Sequence, residues 1–270
     1  MFSSLKRYIR IKHCTVVYLG GLFIFSSWFL EDYERLWRGL LIVGFYVLFD
    51  LLWTYIRDRI WYVPISSVIS GLVIAVISMP APSLLLIAAL PLIAVFSKQV
   101  LHLGKNRLVF NPAAFAIAVA GLFAPSVSWW GVTWGHIPLS IAIIAGLIII
   151  WRQNRWHVAA SFLVAYAFFL KILFLMSGVG IFDLFSKLRP QIIDGTLMFF
   201  MTVMLIEPLT SAFPTKRQQI IYGVLVGFFA VAVTYAGQLF GWSDTDPLIW
   251  GLLIGNITAA LLFLPTVRRM

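Results

Sequence analysis

Ten apolar runs, most near the roughly 17 to 25 residues that a helix needs to cross a bilayer, follow one another along the chain. They lie at 13–30, 39–56, 62–80, 83–97, 108–124, 136–151, 157–177, 192–210, 218–240 and 247–265, and charge, Gly or Pro separates them. With 61 % hydrophobic and 11 % charged residues and a mean hydropathy of +0.97, the chain has too little polar surface to cover a water-soluble globule of this size. The expectation is an all-α integral membrane protein, one polytopic domain over residues 1–270, with about ten transmembrane helices.

The net charge of +10 does not point to nucleic acid, because Lys and Arg fall in short clusters between apolar runs and form no basic face on a folded domain. With the N-terminus in the cytoplasm, alternation over ten crossings puts 15 of the 20 Lys and Arg on the cytoplasmic side, together with the C-terminus. That pattern predicts a multi-pass protein of the bacterial plasma membrane, in contact with lipid. The basic start MFSSLKRYIRIKH is read as leading into a first span, since no small-residue cleavage site follows it. Trp129, Trp130 and Trp134, like Trp61 and Tyr62, are expected as interfacial anchors. The segment 181–191 mixes apolar and charged positions at helical spacing and is expected on the outer surface.

The single cysteine, Cys14, excludes an internal disulfide and a CxxC redox pair. His13, His102, His136 and His157 fall near different span ends, so no metal site is expected. There is no GxGxxG fingerprint on a strand-to-helix turn, so the chain is not expected to oxidise a nicotinamide cofactor alone.

Polar residues inside spans are costly and point to sites or pairs. Asp50, Asn111, Lys171, Asp194, Glu207 and Asn256 stand out. Lys171 in FFLKILFLM is read as snorkelling or as paired with a carboxylate such as Asp50; Asp50 is equally placed to pair with Arg57 or Arg59. Asp50, Lys171 and Glu207 are the ion-pathway candidates. Glu207-Pro208-Leu209-Thr210 and Asn111-Pro112 each put a polar group beside a residue without a backbone donor, which interrupts or starts a helix. VFNPAAFAIAVAGLFAP and GLLIGNITAALLFLPTV share an early Asn, small residues and a final Pro. They suggest two pseudo-repeats, 13–124 and 136–265, inverted because each holds five spans, with Asn111 matched to Asn256.

Four stretches in order, SSVISGLVIAVISMPAPS (66–83), GKNRLVFNPAAF (104–115), FFMTVMLIEPLTSAFPTKRQQIIYGVLVG (199–227) and DPLIWGLLIGNITAALLFLP (246–265), resemble the NqrB/RnfD family. That family holds the NqrB component of the sodium-pumping NADH:quinone oxidoreductase and the RnfD component of the Rnf complex. The resemblance implies two inverted five-helix halves similar to urea transporters, with interrupted helices. It implies a membrane electron-transfer subunit of a flavin-dependent, ion-translocating oxidoreductase, working with a reductase or ferredoxin-like partner. The implied cofactor is FMN, joined to a Thr of a Ser/Thr-Gly-Ala-Thr motif, or riboflavin. Here the corresponding loop reads APSVSWWGVTWGHIP, which keeps Gly131 and Thr133 but not the preceding Ser/Thr. Attachment at Thr133 and noncovalent binding with Trp129, Trp130 or Trp134 stacked on the ring therefore both stay open, with Asn111, Pro112, Glu207, Thr210 and Asn256 as the further cofactor-binding candidates. The loops with Lys98, Lys105, Arg107, Arg152 and Arg155 are read as topology signals or as a docking face for an acidic redox protein. The alternative function is a channel or transporter for a small solute on the same two-half fold, and a third is a scaffold subunit without a cofactor.

Overall fold

The computed structural model describes residues 2–79, 82–102, 107–124, 127–131, 136–242 and 245–267, and of residues 2–10, 136–138, 142 and 264–267 the backbone alone. Regular structure there is helical, with two isolated antiparallel bridges, Ser78 to Ser128 and His102 to Leu108. The helices are α1 (Phe2–Phe29), α2 (Tyr33–Asp58), α3 (Ile65–Ile77), α4 (Leu84–Val100), α5 (Pro112–Gly121), α6 (His136–Gln153), α7 (Trp156–Met176), α8 (Leu184–Ile192), α9 (Gly195–Phe199), α10 (Pro208–Ser211), α11 (Lys216–Phe240) and α12 (Pro247–Val267). A π-helical turn, Phe200–Met204, continues α9.

Among the described residues α2, α7 and α11 are long and apolar enough to cross a membrane, and shorter apolar helices accompany them. Their outward faces carry large exposed apolar side chains such as Leu48, Leu85, Val164, Phe168 and Leu261. Water would penalise that surface and hydrocarbon would not. The chain is a membrane protein. In the segment 181–191, α8 buries Leu184 and leaves most other positions exposed.

Several expected spans are broken. The run 192–210 divides into α9, the π-helical turn and α10, while α3 and α5 are short and lead into non-helical backbone. A π turn and Pro208 together shift or remove backbone hydrogen bonds, so neighbouring groups must satisfy the orphans.

Packing sorts the helices into two groups. In one, α2 lies against α3 and α4, α4 against α5, and α1 against α3; in the other, α7 lies against α11, α11 against α12, and α6 against α9 and the π turn. The contacts of α1 with α6 and of α5 with α12 join the groups. Small residues permit the closest approach. A Cβ on Gly223 would lie 2.1 Å from Ser161 Oγ and one on Gly227 2.9 Å from the Tyr166 backbone nitrogen, so α11 and α7 meet nearly backbone to backbone.

The bundle has two chemically different ends. One gathers Lys12, Lys98, Arg107 and Arg155 with the C-terminal end of α4 and the N-terminal ends of α5, α7 and α11; it is called the basic end below. The other holds Trp129, Trp130, Asp194 and Asp246.

Candidate functional site

Three helices, α5, α10 and α12, start on a polar residue followed by proline, and two of them, α5 and α12, share the same cap. Asn111 caps α5: its Oδ1 accepts from the backbone nitrogens of Ala113 (3.0 Å) and Ala114 (3.2 Å), and Pro112 occupies the first helical position. Asp246 does the same before Pro247, accepting on Oδ1 from Leu248 (3.0 Å) and Ile249 (3.1 Å). Proline is tolerated there because its missing donor has no partner in a first turn anyway. The spare atoms differ. Asn111 Nδ2 donates to Met204 O at the end of the π turn (3.3 Å), whereas Asp246 Oδ2 accepts from Ser128 Oγ and Trp130 Nε1, both at 2.5 Å. The segment 127–131 after α5 thus meets the start of α12, so the two helices run antiparallel.

That segment is held tightly. The backbone nitrogens of Trp129 and Trp130 donate to Ile77 O and that of Gly131 to Val76 O. Arg35, 2 % exposed, donates to Val76 O and lies over the Trp129 ring, 4.8 Å from its centroid. A Cβ on Gly131 would fall 1.8 Å from Arg35 Nη2 and 2.7 Å from the Val76 backbone oxygen, so a larger residue would have to shift the backbone. Trp130 sits at φ 55°, a left-handed conformation that costs a non-glycine residue about 1–2 kcal/mol. Its indole hydrogen bond and its edge contacts with Phe199 and Phe200 hold it there.

Trp130 forms one wall of a cavity of about 530 Å³ at that end of the bundle. Tyr166, Leu170 and Phe174 supply further apolar surface, and Gln191, Thr196, Thr234 and Gln238 supply amide and hydroxyl groups. The Asp194 and Asp246 carboxylates at its edge are committed to capping α9 and α12. The volume lies within the roughly 300–1,000 Å³ of small-molecule and cofactor pockets, and the mix of aromatic walls with a few hydrogen-bonding groups is typical of them. A flavin ring fits that chemistry: aromatic faces to pack on, amides and hydroxyls for its polar edge. No Lys or Arg among the described residues lines the cavity to receive a phosphate.

At the basic end, Glu207 caps α10, accepting on Oε2 from the Thr210 nitrogen (3.0 Å) before Pro208. Arg107 Nη2 donates to Thr210 O (3.1 Å) and the guanidinium lies 4.1 Å from the Phe213 centroid. Burial lowers the Arg107 guanidinium from its ordinary value, with Tyr222 opposing the change; it stays cationic. Glu207, Pro112, Lys12, Lys98 and Ser66 line a cavity of about 90 Å³ between the two helix groups.

Lys98 has a second contact. Asp50 is fully buried, and its Oδ2 accepts from Lys98 Nζ (2.6 Å), Ser67 Oγ (2.5 Å) and the Tyr62 hydroxyl, while its Oδ1 accepts from Gln99 Nε2 (2.6 Å). The expected pairings of Asp50 with Lys171, Arg57 or Arg59 are therefore corrected. Arg57 pairs with Asp58 and Gln99, and Lys171 sits exposed on the flank of α7 near its C-terminal end, where its stem can snorkel. Lys98 and Arg107 are partly buried and bonded to Asp50 and to Thr210 O; Lys105 lies outside the described residues.

The expected cofactor-binding residues do not converge. Trp130 lines the larger cavity, Pro112 and Glu207 the smaller one at the opposite end, and Thr210 is buried behind Glu207. Asn256 is buried in mid-α12, where its Oδ1 accepts from Tyr222 (2.7 Å). In cap geometry Asp246, in the turn before Asn256's helix, is like Asn111, and a polar residue followed by Pro marks both in the sequence, as it marks Glu207. Lys98 and Tyr166 carry no comparable mark within their own runs. Thr133 and Trp134 lie outside the described residues.

No protein-family model matches the chain. Among ion-translocating oxidoreductase complexes, it is similar to the component designated D of Haemophilus influenzae, 26 % identical over 138 residues, which is 50 % of this chain and 33 % of that protein. The same component of Salmonella arizonae is 27 % identical over 136 residues, 49 % of this chain and 35 % of the relative. That of Erwinia tasmaniensis is 25 % identical over 143 residues, 52 % and 37 %. The match spans about a third of the length of these relatives.

Proposed function

We propose that this chain is the membrane subunit of an ion-translocating oxidoreductase complex and that it binds a flavin, FMN or riboflavin, in the cavity beneath Trp130. The observation that carries the reading is that cavity, of about 530 Å³ with indole, phenol and amide walls, in a chain similar to proteins named as subunits of such complexes. When bound, a flavin supplies the capacity to accept and release electrons one or two at a time.

The residues of the chain bind and orient. Trp130, fixed by Asp246, and Tyr166 on α7 offer faces for the ring, and Gln191, Gln238, Thr196 and Thr234 offer groups for its polar edge. Leu170 and Phe174 are apolar walls that would shield one side of a bound ring from water. A phosphate, if the flavin carries one, would be held by a covalent link to Thr133. Electrons come from a separate reductase or ferredoxin-like partner.

The same reading takes the two helix groups as inverted halves of a ten-span protein with the basic end cytoplasmic. Two features support it. The pairings α1 with α3, α2 with α4 and α4 with α5 have the counterparts α6 with α9, α7 with α11 and α11 with α12, and the joining contacts, α1 with α6 and α5 with α12, link corresponding helices. The gathering of Lys and Arg at one end follows the positive-inside rule.

The test is a visible spectrum of the purified protein with the mass of the denatured chain. Flavin absorbance is expected, and Trp130→Ala is expected to lose most of it. A flavin that stays with the denatured chain assigns Thr133, and one released by acid assigns the cavity alone. Protein without flavin absorbance or acid-extractable flavin overturns the proposal. The second reading, passage of a small solute, is favoured by the smaller cavity between the helix groups; solute flux in proteoliposomes without an electron donor would establish it.

A further inference from the structure

We propose that the pocket around Asp50 is a monovalent-cation cage built into the bundle and filled by the protein's own ammonium, that of Lys98. Three oxygens surround Lys98 Nζ: Asp50 Oδ2 at 2.6 Å, Ser67 Oγ at 3.1 Å and Ser66 Oγ at 3.3 Å. All are hard donors, the kind that alkali cations take. Both serines sit in the first turn of α3, and the carboxylate comes from α2, so the oxygens belong to two packed helices other than that of Lys98. Tyr62 and Gln99 hold the carboxylate in place from its other sides.

Charge and access support the same assignment. Asp50 and Lys98 cancel, so one sodium or potassium ion could replace the ammonium without changing the charge of a buried site. Lys98 keeps 15 % of its side chain accessible and, with Ser66, lines the cavity that also holds Glu207. The ammonium is thus a stopper between that cavity and the cage, and Lys12 and Glu207 lie on the same cavity wall. While Lys98 is seated, an alkali cation cannot use Asp50, and this holds whether or not the chain binds flavin.

The test is the thermal midpoint of the purified full-length chain in detergent, with sodium or potassium chloride replacing choline chloride at fixed ionic strength. Wild type is expected to respond to neither salt. Lys98→Met, which keeps the stem and removes the charge, is expected to gain several degrees in one of them, by binding linkage. Asp50→Asn combined with Lys98→Met is expected to lose that gain. An unresponsive Lys98→Met, a wild type that responds as strongly, or a Lys98→Met that folds in no salt while the double variant folds would each overturn the proposal. Variants that do not survive detergent are read in isolated membranes by their resistance to protease, with the same expected order.

Discussion

The starts of α5 and α12 share one local design and differ in one atom. Both put a polar residue ahead of proline, and both use one side-chain oxygen to cap two backbone nitrogens. Yet one is Asn and the other Asp. What each helix start faces makes the choice. Asn111 looks at the Met204 carbonyl, which at the end of the π turn has only a long backbone bond from the Glu207 nitrogen (3.4 Å), and needs a donor; Asp246 looks at the Ser128 hydroxyl and the Trp130 indole and needs an acceptor. Helix capping alone does not distinguish amide from acid. The partner across the bundle does.

Exchanging the two side chains would break that complementarity. Asn111→Asp sets a carboxylate oxygen against the Met204 carbonyl in a buried position, and a loss of about 3 kcal/mol or more is expected in thermal or denaturant unfolding. Asp246→Asn is expected to cost less, about 1–3 kcal/mol, because the Ser128 hydroxyl can rotate to accept from the new amide while the Trp130 indole N–H loses its acceptor. That variant should also weaken flavin retention, since the unusual backbone of Trp130 depends on the bond; absorbance per chain measures it. Ser128→Ala is the mildest, about 1 kcal/mol or less, because Asp246 keeps the indole and both cap bonds. Equal losses for Asn111→Asp and Ser128→Ala would mean that the partner plays no part in the choice.

The same comparison separates what was legible from what was not. Asn111-Pro112 and Glu207-Pro208 could be read as helix interruptions because proline acts through its own ring and missing donor. Asn256 resembles Asn111 in the small residues that follow each, a pattern that many membrane helices share for close packing. In cap geometry it is Asp246 that is like Asn111. Asp50 was legible as a residue needing a partner, but Lys98, Tyr62, Ser67 and Gln99 reach it from other segments. Nothing along the sequence orders those candidates against Lys171, Arg57 or Arg59.

Hydropathy, proline and helix capping are local, and by themselves they determined that this chain is a helical membrane protein with interrupted helices. Tertiary structure decided the rest: that Lys98 neutralises Asp50, that Asp246 holds Trp130 over a cavity, and that the two helix groups meet through α5 and α12. Low-dielectric surroundings make every buried charge and open backbone group find a partner, but only the packing of distant helices determines which partner is within reach.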